Sequence, residues 1–449
     1  MEVVHIYHTN DLHSHFEDWK KIEALLLERR KWHKEAGDEV FVFDIGDHMD
    51  RWHPYSDGTK GKGNVELLNR ANYDGATIGN NEGITLSHDD LNEMYKAASF
   101  PVIVANLYHE DGSRPYWAKP YHIYTTKKGT QIAVVGLTAF FSLFYELLHW
   151  KLTDPLEELN RQIKYLNDRV DVIILLSHLG IDHDEKISEM FPEIDVILGA
   201  HTHHIFHKGK MVHQTLLGAA GKFGHYIGHM TLTIDDQFKK VTEKKAQLYD
   251  TNKLPPIEGE NELIQQLVDR GKSHLSNEII ELQSDWTKTK IANVLCDALR
   301  EWCEADCAIL NEGLILDKLY QGKVTKYELL KICPHPINPC IVTLTGSQLQ
   351  KVILQSLDEK WINFQMMGFG FRGKLIGQFV HNQILFSNED IYLQDVLLQP
   401  NEMYRLAIPD MFTFGNFFED VFTTKSKKYF LPEFIRDLLE WKLKNLASI

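Results

Sequence analysis

The residues of this 449-residue chain most able to do chemistry are carboxylates, amides and imidazoles that follow short apolar runs. Val3 to Tyr7 leads into Asn10-Asp11-Leu12-His13, and Val40 to Phe43 leads into Gly46-Asp47-His48. A third block is Gly79-Asn80-Asn81-Glu82; Asp171 to Leu176 ends near His178, and Asp195 to Leu198 near Gly199-Ala200-His201-Thr202-His203. Asp11 and His13 are two residues apart, as are His201 and His203, which puts each pair on one side of an extended segment. Carboxylate, amide oxygen and imidazole are ligands for borderline divalent ions. The seven candidates Asp11, His13, Asp47, Asn80, His178, His201 and His203 exceed what one tetrahedral ion needs, and a carboxylate such as Asp47 can bridge two ions. The chemistry expected is therefore two-metal, in which ions roughly 4 Å apart share a hydroxide and clamp a phosphoryl group for in-line attack.

Such a convergence needs strands whose C-terminal ends lie on one edge. Apolar runs at Val3 to Tyr7, Val40 to Phe43, Pro101 to Ala105, Ile132 to Leu137, Asp171 to Leu176 and Asp195 to Leu198 alternate with helical patterns at Trp19 to Glu35, Asp89 to Ala98 and Pro155 to Arg169. That alternation predicts an α/β sheet with the ligands along its C-terminal edge. Tyr226 to Ile234 alternates like a half-buried strand. A Pro, Gly and charge cluster at Thr251 to Asn261 marks a boundary, after which helical patterns at Glu262 to His274 and Thr289 to Glu304 open a mixed region ending in an amphipathic segment, Pro432 to Leu446. The division expected is 1–250 for the metal domain, 251–288 for a linker and connecting helix, and 289–449 for a second domain.

Composition narrows the classes. Sixty-three acidic against 48 basic residues give a formal charge of −15, which disfavours binding to a polymeric phosphate backbone and hence nuclease activity. Of 23 histidines, 20 precede residue 240, where the candidate ligands lie. The five cysteines all fall in the second half without a CxxC pair, and read as reduced thiols. No apolar run reaches the ~20 residues of a membrane span. The first residues carry no basic leader signature and a candidate ligand stands at position 11, so a cytoplasmic protein is expected unless a leader has been trimmed.

In order and spacing, Asp11-x-His13, Gly46-Asp47, Gly79-Asn80, His178 and Gly199-x-His201-x-His203 resemble the calcineurin-like metallophosphoesterases. Thr9-Asn10-Asp11-Leu12-His13 and Gly218-Ala-Ala-Gly-Lys-Phe-Gly224 resemble their 5′-nucleotidase branch, the likeness covering residues 3 to about 235. The resemblance implies a four-layer α-β-β-α sandwich followed by a smaller α+β C-terminal domain. One divalent ion (Mn, Zn or Fe) would be held by Asp11, His13 and His203 and a second by Asn80, His178 and His201, with Asp47 bridging. The activity implied is hydrolysis of nucleotides or nucleotide anhydrides by a metal-bridging hydroxide. Ile291 to Leu299, Ala308 to Gly313 and Ile341 to Gly346 are similar to landmarks of the 5′-nucleotidase C-terminal domain, where a nucleoside base lies between two Phe rings. Phe364 is the candidate for the first ring, and Phe417 or Phe418 for the second.

Two departures stand out. The family places a His after Gly-Asn and an Asp three residues further, a dyad that supports the leaving group; here these positions are Asn81 and Ile84. Asn81 can donate a hydrogen bond to a developing oxyanion but has no proton to deliver. Either His48 or His88 takes over, or the substrate has a good leaving group such as a diphosphate, or the chain is a metal- and nucleotide-binding regulatory protein with vestigial catalysis. The second departure is Leu316, where the family's Asn-x-Gly-x-x-Arg motif has Arg; Arg372 is a substitute cation from elsewhere in the chain. No chemistry is assigned to His5, His33, His109, His122, His149, His213 or His274. Oligomeric state is left open.

Overall fold

The computed structural model describes residues 1–387, 390–415 and 417–447. Contacts divide the chain into two units, Met1–Gly271 and Lys272–Ile449, the division falling inside the helix Glu260–His274.

The first unit is built on two sheets. One runs Val241–Asp250, Tyr226–Ile234, Glu2–Thr9, Glu39–Asp44, Gly75–Ala76, Val102–Ile103, Ala118–Lys119. Its strands from Glu2–Thr9 to Ala118–Lys119 are parallel, while Tyr226–Ile234 and Val241–Asp250 add antiparallel. The other runs Lys210–Val212, Thr215–Gly218, Val196–Gly199, Val172–Ser177, Gln131–Leu137, Tyr121–Thr125, with the middle four strands parallel.

Alternation explains how the sheets stack. Val4 and Ile6 of the first sheet, with Phe41 and Phe43, join Ile132, Val134, Val172, Ile174, Leu176, Val196 and Leu198 of the second in one buried cluster between the sheets. The intervening Ala133, Val135, Ile173 and Leu175 face the other way and pack with Leu159, Ile163, Leu166 and Ile187 of the helices Pro155–Leu166 and Ile181–Met190. Strands covered on both faces read as unbroken apolar runs, which is how Val172 to Leu176 reads. Asp154 caps Pro155–Leu166 by accepting from Leu156 N–H and Glu157 N–H, and Pro155 supplies the preset first turn. On the far side of the first sheet the helix Trp19–Ala36 buries Trp19, Ile22, Leu25, Leu26 and His33. The layers are thus α-β-β-α.

The second unit is α+β. A five-stranded sheet runs Phe379–Asn382, Cys307–Asn311, Met403–Pro409, Pro339–Thr345, Lys427–Tyr429, accompanied by the helices Lys288–Cys303, Gly346–Ser356 and Ile435–Ala447. All five cysteines are free and buried. Among the described residues, no helix is long and apolar enough to cross a membrane.

Candidate metal centre

The two sheets of the first unit both deliver side chains from the C-terminal ends of parallel strands. The first sheet presents Asp11, His13, Asp47 and Asn80; the second presents His178, His201 and His203. Asp11, His13 and His203 bring ligand atoms within 4.8 Å of one another, and so do Asp11, Asp47 and His178. Asp11 Oδ1 stands 3.4 Å from His203 Nε2 and 3.8 Å from His13 Nε2. Asp47 Oδ2 lies between the groups, 3.4 Å from His178 Nε2 and 3.8 Å from His13 Nε2. His201 Nδ1 and Asn80 Oδ1 meet at 2.9 Å.

Sharp backbone turns aim these donors. Asp11, His13, Asp47, His201 and His203 all have φ between 49° and 70°, the left-handed region. Non-glycine residues there cost on the order of 1–3 kcal/mol each and persist only where surroundings over-determine them. Those surroundings are visible: Asp11 N–H donates to Gly46 O at 3.0 Å and His13 N–H to Asp47 O at 2.8 Å, so the two loops stay laced beyond the strands. A Cβ added to Gly79 would overlap Asp47 Oδ1 and the His178 ring, which is why glycine stands there.

The donor set fits divalent ions. His178 Nδ1 is 2.6 Å from Ile45 O, so it carries the proton, and its buried Nε2 has no hydrogen-bond partner while facing the two carboxylates. Burial alone would lower the His178 pKa, yet the charges of Asp47 and Asp11 raise it, so the site's field favours a cation. Burial pushes the Asp47 carboxyl up, but His178, His13 and the Asn81 N–H hold it well below the usual range. Asp50 Oδ2 lies 3.6 Å from His13 Nδ1 and orients that ring from behind.

Supporting residues that the sequence left in the background tie the loops together. Glu82 is buried, and its carboxylate accepts from the N–H groups of Asp47 at 2.9 Å, Gly79 at 2.8 Å and Met49 at 3.0 Å. Burial and the charge of Asp47 push its pKa up to about 7. Asn10 donates to Asp11 Oδ2 and to Gly221 O, both at 2.7 Å, and accepts from Ala220 N–H. A Glu three residues after Gly79, at the third position of the helix Asn80–Thr85, was the available signal for the first; the second lay in plain sight beside Asp11. Aromatic rings stand at the margins: Phe141 has its centroid 5.8 Å from that of His201, and Phe223 packs on His15 at 3.9 Å.

Not every sequence candidate joins the centre. Asn81 does: its Nδ2 donates to Asp47 Oδ2 at 2.7 Å and lies 3.4 Å from His13 Nδ1. His48 does not, because its ring is buried against Trp19, 3.4 Å from Asp44 Oδ2. His88 packs on Trp150 and His109, 3.2 Å from His109 Nδ1. In the second unit Phe418 is a core ring, fully buried with Trp361, Phe379 and Phe412, so it has no face to offer a ligand. Phe364 and Phe417 meet edge to face, 6.3 Å apart at 74°. The partly exposed Phe369 and Phe414 are nearly parallel, 19° at 6.4 Å. Arg372 donates its backbone N–H to His335 Nδ1 at 2.9 Å.

With this geometry in view, comparison with known proteins is informative. Residues 4–204 match the calcineurin-like phosphoesterase family and residues 271–420 the 5′-nucleotidase C-terminal domain. The uncharacterized metallophosphoesterase YunD of Bacillus subtilis strain 168 is 41% identical, over 98% of this chain and 99% of its own length. A 5′-nucleotidase of Vibrio cholerae is 24% identical over 77% of this chain and 74% of its own. The crystal structure of a putative 5′-nucleotidase from Staphylococcus aureus superposes with a TM-score of 0.69 at 17% identity, covering 100% of this chain and 98% of that one. Fold and donor set define a metallophosphoesterase. More particularly, the chain belongs to the calcineurin-like metallophosphoesterase family, in its 5′-nucleotidase branch, and is a metal-dependent phosphoester hydrolase.

Proposed function

We propose that this protein hydrolyses small nucleotides, as phosphomonoesters or anhydrides, at a centre for two divalent ions. The observation that carries the reading is Asp47, whose Oδ2 lies within 3.8 Å of an imidazole from each ligand group. Asp11, His13 and His203 would hold one ion, Asn80, His178 and His201 the other, and Asp47 both; Mn, Zn and Fe all suit this donor set. Such ions would supply Lewis acidity and an activated water. The chain's own part is to fix the donors: Asp50 orients His13, Ile45 O fixes the tautomer of His178, and Asn81 clamps Asp47.

Because the Asn81 amide is engaged by Asp47 and has no titratable proton, a leaving group departs without protonation from that position. This favours substrates whose leaving group is itself a stable anion, such as nucleoside diphosphates or dinucleotide anhydrides. We place the metal domain at 1–250, a connecting segment at 251–288, and nucleoside recognition in 289–449, where Phe364, Phe369 and Phe414 offer exposed ring surface and Arg372 follows Phe369 closely in sequence. Five buried thiols support a cytoplasmic location. The complete ligand set argues against the reading of a regulatory protein with vestigial catalysis.

The test is a panel of nucleoside mono- and diphosphates, dinucleotides and simple phosphate esters, each assayed with Mn(II), Zn(II) and Fe(II). Turnover that needs a divalent ion and prefers nucleotides is expected; turnover unaffected by chelator, or none with any ion, would overturn the proposal.

A further inference from the structure

A second histidine cluster lies on the outer face of the first sheet, under the C-terminal end of the helix Trp19–Ala36. Register builds it: Tyr7 pairs with His229 and His5 with Thr231, so His5 and His229 project together toward the helix, where His33 comes down onto the His5 ring. His5 Nδ1 and His229 Nε2 are 3.0 Å apart, and ligand atoms of His5, His33 and His229 all lie within 4.8 Å of one another. None of the three belongs to the Asp11/Asp47 centre.

The surroundings complete the pattern of a metal site. Asp38 Oδ2 is 3.4 Å from His5 Nε2, so a carboxylate backs one imidazole while its other nitrogen faces inward. Gln247 Nε2 donates to His229 Nδ1 at 2.9 Å, which leaves the ring proton on Nε2 toward His5 Nδ1; turning the Gln247 amide over would present its oxygen to Nδ1 instead and free Nε2 to bind an ion. Burial is the main reason the pKa values fall, to about 4 for His33 and about 3 for His229, so these two are neutral at pH 7, and His5 is lowered for the same reason. Arg29 opposes a cation here, being one of the charges that lower His33 and His229, and Asp38 offsets it.

We propose that His5, His33 and His229 form a separate site for a zinc-class divalent ion, with Asp38 and Gln247 orienting the first and last of these rings. Two imidazole nitrogens on one tetrahedral ion sit about 3.4 Å apart, so His5 and His229 are almost at the required spacing. His33 stacks on His5 with centroids 3.6 Å apart and 21° between planes, and its Nε2 is 2.9 Å from Tyr7 Oη. Loading therefore turns the His33 ring out of the stack and away from that phenol. A carboxylate-poor, three-imidazole set prefers Zn(II), Ni(II) or Cu(II) to Mg(II) or Ca(II).

The experiment is metal stoichiometry by elemental analysis of the full chain after dialysis against buffered Zn(II), repeated with Co(II) to read its visible ligand-field bands. The variants are Asp11→Ala/Asp47→Ala/His178→Ala, which takes donors from both ligand groups of the catalytic centre, and His33→Gln and His229→Gln, each checked for native circular dichroism. The catalytic triple variant is expected to retain one equivalent of Zn(II) and a tetrahedral Co(II) spectrum. Either glutamine variant should lose one equivalent relative to wild type. Equal stoichiometry in wild type and both glutamine variants, or a metal-free catalytic triple variant, overturns the proposal. Should one glutamine variant misfold, His5→Asn provides the same readout.

Discussion

Asn81 grips Asp47 at both carboxylate oxygens, its backbone N–H on Oδ1 and its side-chain Nδ2 on Oδ2, each at 2.7 Å. A residue standing where a proton donor was expected is thus bound to the carboxylate that the two ligand groups share. In the proposed mechanism its work is to hold Asp47 still, and the leaving group departs without a proton from this position.

One prediction concerns that grip. Asn81→Ala keeps the backbone bond but removes the amide, and loss of such an orienting partner costs about 10–100-fold in metal affinity or activity. Titrating activity against free Mn(II) for both proteins checks it. An unchanged activation curve would show that the side-chain bond has no bearing on the metal.

Another follows from the absence of a proton donor at this position. Across nucleotide substrates of graded leaving-group acidity, log(kcat/KM) should fall steeply as the leaving-group pKa rises. Introducing His and Asp together, as Asn81→His/Ile84→Asp, should flatten that slope, since a working general acid contributes about 10²–10⁴-fold, felt most by poor leaving groups. A wild-type rate insensitive to the leaving group would mean that protonation is supplied from elsewhere.

Gly79→Ala tests the close packing of the ligand loops. The added methyl meets Asp47 and His178 directly, and overpacking of this kind costs about 1–3 kcal/mol before any effect on the ligands. Chemical denaturation and metal loading should both suffer. A variant with normal stability and full loading would mean that the loops yield more easily than their hydrogen bonds imply.

A pH effect is expected far from these ligands in the sequence, at Asp410. Burial raises its pKa to about 8, against 3.8 for the ordinary carboxyl, with bonds from Asn338 and Met411 acting in the opposite sense. The folded state therefore retains a proton that the unfolded chain has shed. By linkage, the stabilisation from this group is complete below pH 3.8 and is lost as pH rises through about 8. Denaturation of wild type and Asp410→Asn at pH 5, 7 and 9 should show the asparagine variant losing less stability on the alkaline side; parallel curves would count against the assignment.

The convergence of the candidate ligand blocks was legible in sequence because each combines two local signals, an apolar run and a potential metal-binding side chain just past its end. The alternation of strands and helices likewise located the sheets, and Trp19–Ala36 and Pro155–Leu166 fall within a few residues of their expected spans. What stayed hidden depends on partners distant in sequence. His48 looks exposed in a loop motif, yet it lies buried beside Trp19 because the first helix folds over it. Phe418 and Phe417 are neighbours with different fates, since the first is fully buried in the core of the second unit and the second is half-buried at its margin, against Phe412 and Phe364. His5, His33 and His229 carry no pattern in sequence, because strand register between residues 5 and 231 is what gathers them.

The place of Glu2–Thr9 in its sheet has a bearing on how the chain becomes active during synthesis. That strand is flanked on one side by Glu39–Asp44, which emerges from the ribosome soon afterward, and on the other by Tyr226–Ile234, which emerges some two hundred residues later. Until then the strand that carries Asp11 at its end is an open edge, able to pair with the wrong partner. His201 and His203 also arrive late. A ribosome-bound nascent chain that ends between residues 203 and 226 therefore carries all seven candidate donors while the strand bearing Asp11 still lacks its neighbour Tyr226–Ile234, and metal captured at that stage would meet a half-built site.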